Sequence, residues 1–200
     1  MNERFFDVKR EKQDRMIGAA LKSFAIDGYQ HASTDAMVRD AGISKGLLFH
    51  YFETKLGLYS FVYDYAVRVV GINISTNVSK QERNFFQLAE QMERAWADAM
   101  QQFPYIRLFL ASASCENYPE AAAAILEARN HYEESQQEIA DRADLSIFKP
   151  GVDADRIRLM IRYTAEGLLR QHLHDGTFVP SDFYREMKDY LKMLQLLASK

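Results

Sequence analysis

The chain has 200 residues, 48% of them hydrophobic and 26% charged, with four prolines and a single cysteine. These values exclude bulk disorder and an internal disulfide, and they allow one large or two small globular units. The formal charge is -3, and residues 1–56 carry nine Lys/Arg against eight Asp/Glu, so charge alone does not point to a polyanionic partner.

From Met1 to Lys12 there is no apolar run of signal-peptide length, and no later stretch reaches the ~18 uninterrupted apolar residues of a membrane span. A cytoplasmic protein with no membrane partner is the expectation. Cys115 reads as a small buried apolar residue rather than a redox sensor.

Nearly every segment has helical periodicity. Met16, Ile17, Ala20, Leu21 and Phe24 form a stripe that Gly28 ends. Thr34 to Phe52 reads as two short helices. Leu58, Val62, Ala66 and Val69 continue after Lys55, and Phe85, Leu88, Met92, Trp96 and Ala99 run up to Pro104. A short apolar helix follows from Pro104 to Cys115. Pro119 opens a long helix through Ala121, Ile125, Ala128, Tyr132 and Ile139. Asp153 enters and Gly176 closes a helix carrying Ile157, Met160, Ile161, Thr164, Leu168 and His172. Pro180-Ser181-Asp182 opens the last, with Phe183, Met187, Tyr190, Leu194 and Leu197 facing inward. The fold class is all-α, divided near Lys55 into residues 1–54 and 55–200.

The stretch from Thr34 to Phe52 is the informative one. Thr34 can cap a helix whose inner face is Met37, Val38 and Ala41. Gly42 can adopt the left-handed turn, Ile43 can plug the corner, and Ser44 can cap a second helix whose inner face is Leu48, Tyr51 and Phe52. Such a helix-turn-helix lays its second helix in the major groove. Lys45, Gly46, Leu47, Phe49 and His50 form the outer face, and Gly46 lets the helix start approach the duplex closely. An ordinary helical hairpin with a glycine turn satisfies the same pattern.

Ala41-Gly42-Ile43-Ser44-Lys45-Gly46, then His50-Tyr51-Phe52 and Lys55, with Phe24, Gly28-Tyr29 and Thr34 upstream, resembles the signature of the TetR family of bacterial transcriptional regulators. The resemblance covers about residues 10–60. It implies a three-helix DNA-binding domain with a helix-turn-helix, followed by a helical bundle for ligand binding and dimerisation. It implies phosphate contacts from Thr34, Tyr51 and Lys55, and a recognition surface at Ser44, Lys45, Gly46 and His50. Two positions depart from the family. Leu47 stands where threonine is common and Phe49 where tyrosine is common, each losing a hydroxyl, although Leu47 can pack on a thymine methyl.

The C-terminal part is rich in Phe, Tyr and Met. Such stripes are ordinarily core, but the resemblance implies an effector pocket, for which Trp96, Met100, Phe109, Tyr132 and Tyr163 are candidates. Glu166 is either a polar hook for a ligand or an interface ion-pair partner. The last two long helices carry surplus apolar positions, Leu159, Leu169, Leu173 and Leu196, which suggests a homodimer through these helices. His172 and His174 are two apart and diverge on a helix, so no metal or other cofactor is expected. No GxSxG, Walker, GxGxxG or HExxH pattern occurs, and an enzyme is not expected.

Overall fold

The computed structural model describes residues 5–200, and among these the regular elements are nine α-helices. They are α1 (Arg10–His31), α2 (Thr34–Ala41), α3 (Lys45–Phe52), α4 (Lys55–Asn77), α5 (Phe85–Gln102), α6 (Ile106–Ser114), α7 (Pro119–Ala140), α8 (Ala154–Asp175) and α9 (Pro180–Ala198). A 3-10 turn at Leu145–Ile147 precedes α8. The all-α class and the helix order agree with the periodicity of the sequence. None of the helices is long and apolar enough to cross a membrane, among the described residues.

Two compact units are present. The first joins residues up to Val69 with Gln102–Glu133, and the second joins Val70–Gln101 with Glu134–Lys200. These units cut across the chain division at residue 54. The reason within the first unit is aromatic packing: Phe24 of α1, Tyr59 of α4 and Phe109 of α6 meet with ring centroids 4.9 Å (Phe24–Tyr59), 5.8 Å (Tyr59–Phe109) and 6.2 Å (Phe24–Phe109) apart. Rings at such separations add directional attraction to the area they bury. Met16, Ile17, Ala20 and Leu21 complete the inner face of α1.

Regular helix geometry in α1 is interrupted at Gly28, whose φ of 66° and ψ of 178° belong to a region essentially reserved for glycine. The stripe therefore ends where the sequence places its end, although helical hydrogen bonding resumes for one further turn. Ahead of α1, Phe5 is fully buried against Tyr51, Phe52 and Phe61. The Gln13 side-chain amide donates to the carbonyls of Phe6 and Val8 and holds this leading segment down. No periodic pattern in the sequence flags Phe5.

In the second unit, Asp153 caps α8 by accepting from the Asp155 and Arg156 N–H groups, Gly176 closes it at φ 67°, and Pro180 starts α9. The α9 seam is Phe183, Met187, Leu191, Leu194 and Ala198. Leu191 and Ala198 replace Tyr190 and Leu197 of the expected stripe, a one-residue shift that leaves Leu197 exposed. Leu169, expected to be surplus, is instead fully buried, and Met160 is exposed rather than core. Phe85, Phe86 and Phe148 form an aromatic group, and Glu90 of α5 accepts from Lys188 at 2.6 Å and from the Tyr184 hydroxyl at 3.1 Å.

Cys115 corrects another expectation. It is exposed, at the end of α6, because the helix stops there and the chain turns toward Pro119.

Candidate nucleic-acid interface

The geometry of α2 and α3 follows from two serine caps and one glycine. The cap of α2 is Ser33, whose hydroxyl accepts from the Ala36 N–H at 3.3 Å. Thr34, expected there, is instead the first helical residue. Either hydroxyl satisfies the capping rule, and the extended backbone of Ser33 decides between them. Gly42 then takes a left-handed φ of 66°, which lets its N–H reach Arg39 O and the Ile43 N–H reach Val38 O, closing the end of α2. Ser44 caps α3 through the Leu47 N–H at 3.2 Å.

This arrangement turns one face of α3 inward and leaves its start open. Leu48, Tyr51 and Phe52 are buried, while Ser44, Lys45, Gly46 and His50 are exposed and Leu47 and Phe49 are half-buried. A Cβ at Gly46 would meet nothing within 4 Å, so the helix start stands clear of the rest of the first unit. Exposed N–H groups and a positive dipole end at that position suit a phosphate or base edge. The Lys45 ammonium is not free, since it pairs with the Asp35 carboxylate of α2 at 2.9 Å.

The junction after α3 is strained. Glu53 adopts φ 63° and ψ -52°, the one described non-glycine residue with positive φ, and the Thr54 N–H bonds Phe52 O at 2.7 Å. That is a three-residue γ-turn of the rare hand. A Cβ on Gly57 would lie 2.3 Å from Phe52 O, so only glycine permits α4 to start this close to the end of α3. Gly57 was not among the expected site residues. A glycine in the first turn of a helix, directly after a tight corner, is the signal that points to it.

Lys55 is committed to protein groups. Its ammonium donates to Gln30 O at 3.1 Å and to Ala32 O at 3.2 Å, and it lies 4.8 Å from the centre of the Tyr29 ring. It thereby ties the start of α4 to the corner between α1 and α2. The Glu116 carboxylate accepts the Tyr29 N–H, and the Tyr118 ring lies tilted against the Tyr29 ring with centroids 5.4 Å apart. Burial, followed by the nearby charges of Glu120, Tyr118 and Glu116, raises the pKa of the Tyr29 phenol.

The effector candidates divide between the units. Phe109 is fully buried in the first, in contact with Phe24, Tyr59 and Tyr63. Tyr132 belongs to the same unit, and burial raises its phenol strongly, with Tyr63 adding to the shift and Arg107 opposing it. Trp96, Met100, Tyr163 and Glu166 belong to the second unit. Met100 is fully buried, Trp96 and Glu166 are half-buried, and Tyr163 is 60% exposed with the Arg162 guanidinium over its ring. His172 is engaged by Glu186 at 3.0 Å and Thr177 at 3.1 Å.

Residues 16–60 match the family described as bacterial regulatory proteins, tetR family. No curated protein matches the chain in sequence. Among solved structures, the chain is similar to a TetR family transcriptional regulator from Chloroflexus aurantiacus J-10-FL, with TM-score 0.64 and 18% identity over 100% of this chain and 98% of the other. It is similar to the ketosteroid transcriptional regulator KstR2 of Mycobacterium tuberculosis, with TM-score 0.67 and 18% identity over 96% and 97% of the two chains. A putative fatty acid metabolism regulator of Clostridium perfringens follows with TM-score 0.57 and 14% identity over 88% and 96%. These likenesses establish the fold, and the family match falls on the segment that builds α2, α3 and their supports. Residues 16–60 are thus similar to bacterial regulatory proteins of the tetR family, and the fold around them is shared with solved regulators of that description.

Proposed function

We propose that the protein is a ligand-responsive repressor acting in the cytoplasm. In this reading it binds a palindromic operator as a homodimer and is released by a small apolar or amphipathic effector. The observation that carries the reading is the open start of α3, with Ser44, Lys45, Gly46 and His50 exposed and Leu47 and Phe49 beside them. These residues enter the major groove, with Thr34 and Tyr51 beside them for phosphate contacts, while Lys55, engaged by Gln30 O and Ala32 O, holds the corner that positions α3 rather than a phosphate. Residues 1–54 serve as the DNA-binding part and 55–200 as the effector and dimerisation part.

Dimerisation is supported by the outer faces of α8 and α9. Leu159, Met160 and Tyr163 on α8, with Met193, Leu196 and Leu197 on α9, are exposed, Leu196 at 80%. Apolar side chains in such number on two neighbouring helices suit a self-complementary contact. Two copies of α3 then meet successive major grooves.

An apolar effector is supported by the aromatic group of Tyr63, Phe109 and Tyr132 in the first unit. In the second unit Trp96, Met100, Tyr163 and Glu166 are the residues to probe. The similar regulators named for ketosteroids and for fatty acid metabolism suit an effector of that character. Release is a population shift: the effector favours a dimer whose two α3 helices no longer match the groove spacing.

Sedimentation of the protein with a duplex that it enriches from a random-sequence pool tests the reading. Two chains per duplex are expected, and one chain per duplex contradicts it. Trp96 is the single tryptophan, so its fluorescence reports an effector that reaches the second unit.

A further inference from the structure

We infer that Asp35 is a specificity-determining residue of the DNA interface. It holds back Lys45 and suppresses binding to non-specific duplex. The inference rests on the reading that α3 enters the major groove.

Lys45 is the first residue of α3, where a recognition helix meets base edges. Its ammonium lies 2.9 Å from Asp35 Oδ1 and 3.1 Å from Oδ2. A carboxylate at that distance must share the surface that faces the duplex. Both side chains are open to solvent, Asp35 at 70% and Lys45 at 52%, so neither is confined by packing. Asp35 stands in the first turn of α2, where its charge favours the helix dipole. Its cost falls on DNA binding.

Non-specific affinity comes from cations that neutralise phosphates and release counterions. Residues 1–56 hold only nine Lys/Arg against eight Asp/Glu, so each cation weighs heavily. Lys55 is engaged by backbone carbonyls, and Lys22 pairs with Asp40 at 3.1 Å. Asp35 cancels the charge of Lys45 and also repels the phosphates that approach α2. A random duplex offers Lys45 only a phosphate in exchange for the carboxylate. A guanine in register offers O6 and N7 acceptors, and a cytosine beside it offers Asp35 an amino donor. The pair therefore opens without loss on the right sequence and at a loss on the wrong one.

The test compares wild type, Asp35→Asn, Asp35→Glu, Lys45→Ala and the Asp35→Asn/Lys45→Ala double variant. Each binds two probes between 50 and 200 mM salt: a duplex enriched by wild type from a random pool, and an unrelated duplex of equal length. Thermal melts confirm that each variant is folded. Asp35→Asn is expected to bind the unrelated duplex roughly tenfold more tightly, with a salt slope steeper by about one. Its gain on the enriched duplex is smaller, so discrimination falls. Asp35→Glu keeps wild-type behaviour, and the gain disappears when Lys45 is absent. If folded Asp35→Asn binds the unrelated duplex no more tightly than wild type, or gains equally without Lys45, the inference is overturned. If wild type binds no duplex at all, the groove-binding reading falls first, and that outcome is distinct.

Discussion

The Glu116 carboxylate, beyond the end of α6, accepts the backbone N–H of Tyr29 at 3.2 Å across 87 positions of sequence. The same carboxylate accepts the Tyr118 N–H at 2.8 Å. Tyr29 follows the Gly28 interruption in α1, and Lys55 lies over its ring. One acidic side chain thus fixes the corner from which α2 and α3 are hung. Glu116→Ala is expected to cost about 1–3 kcal/mol of stability, because a charge-assisted bond is lost and a partly buried donor is stranded. DNA affinity should fall on every duplex while the salt slope is kept. Urea unfolding and salt-dependent binding read the two effects, and unchanged stability contradicts the role.

At the far end of α3, Gly57 tests the strained corner. Gly57→Ala places a methyl 2.3 Å from Phe52 O, a backbone atom that cannot swing aside. The end of α3 or the start of α4 must move. Overpacking of this kind costs about 1–3 kcal/mol. DNA affinity is expected to fall by roughly tenfold or more, since misplacing α3 weakens its contacts with both bases and phosphates. A folded variant with wild-type affinity shows that the corner does not position α3.

Alkaline pH tests the aromatic core of the first unit. Burial raises the phenols of Tyr59, Tyr63 and Tyr132, and Tyr63 is pushed up to about 12 from 10.0. Above about pH 10 the unfolded chain releases phenolic protons that the folded chain retains. The stabilisation is therefore complete below pH 10 and is lost as pH rises through the folded pKa. Unfolding free energies from urea titrations should fall between pH 10 and 12, by on the order of 1 kcal/mol per pH unit for each such phenol. A free energy that holds steady over this interval contradicts the burial.

Leu196→Glu tests the proposed dimer face. Leu196 is 80% exposed in the single chain, so the change costs the isolated fold little. At a dimer interface it buries an unpaired charge. A folded monomer is expected by light scattering at micromolar concentration, with weakened binding to a two-site duplex. A variant that remains dimeric removes this face from consideration.

The helix-turn-helix was legible because its determinants are local. Gly42, Ser44 and the inward Leu48, Tyr51 and Phe52 act within a turn or two of one another, and the structure gives each the place that spacing assigns. Errors of one residue arose where two neighbours satisfy the same rule. Ser33 and Thr34 both offer a hydroxyl to α2, and Leu191 and Tyr190 both continue an apolar stripe on α9. Longer-range contacts left no pattern. Phe5 lies ahead of the first α-helix, Glu116 finds Tyr29 far away in sequence, and the close approach at Gly57 depends on an unusual φ at Glu53. The direction in which Lys45 points was likewise invisible, because Asp35 sits on another helix.

The open start of α3 is the proposed site of duplex DNA binding. Its most direct measurement is the affinity of the full chain, from 50 to 200 mM salt, for a duplex enriched from a random-sequence pool. The enriched sequence should be two-fold related, with half-sites about one helical turn or a multiple apart. Affinity should drop by about 10³-fold or more across that range if about six phosphates are neutralised. Lys45→Ala should change which sequence is enriched. A folded protein that enriches no sequence and shows no salt-dependent retention of DNA contradicts the account.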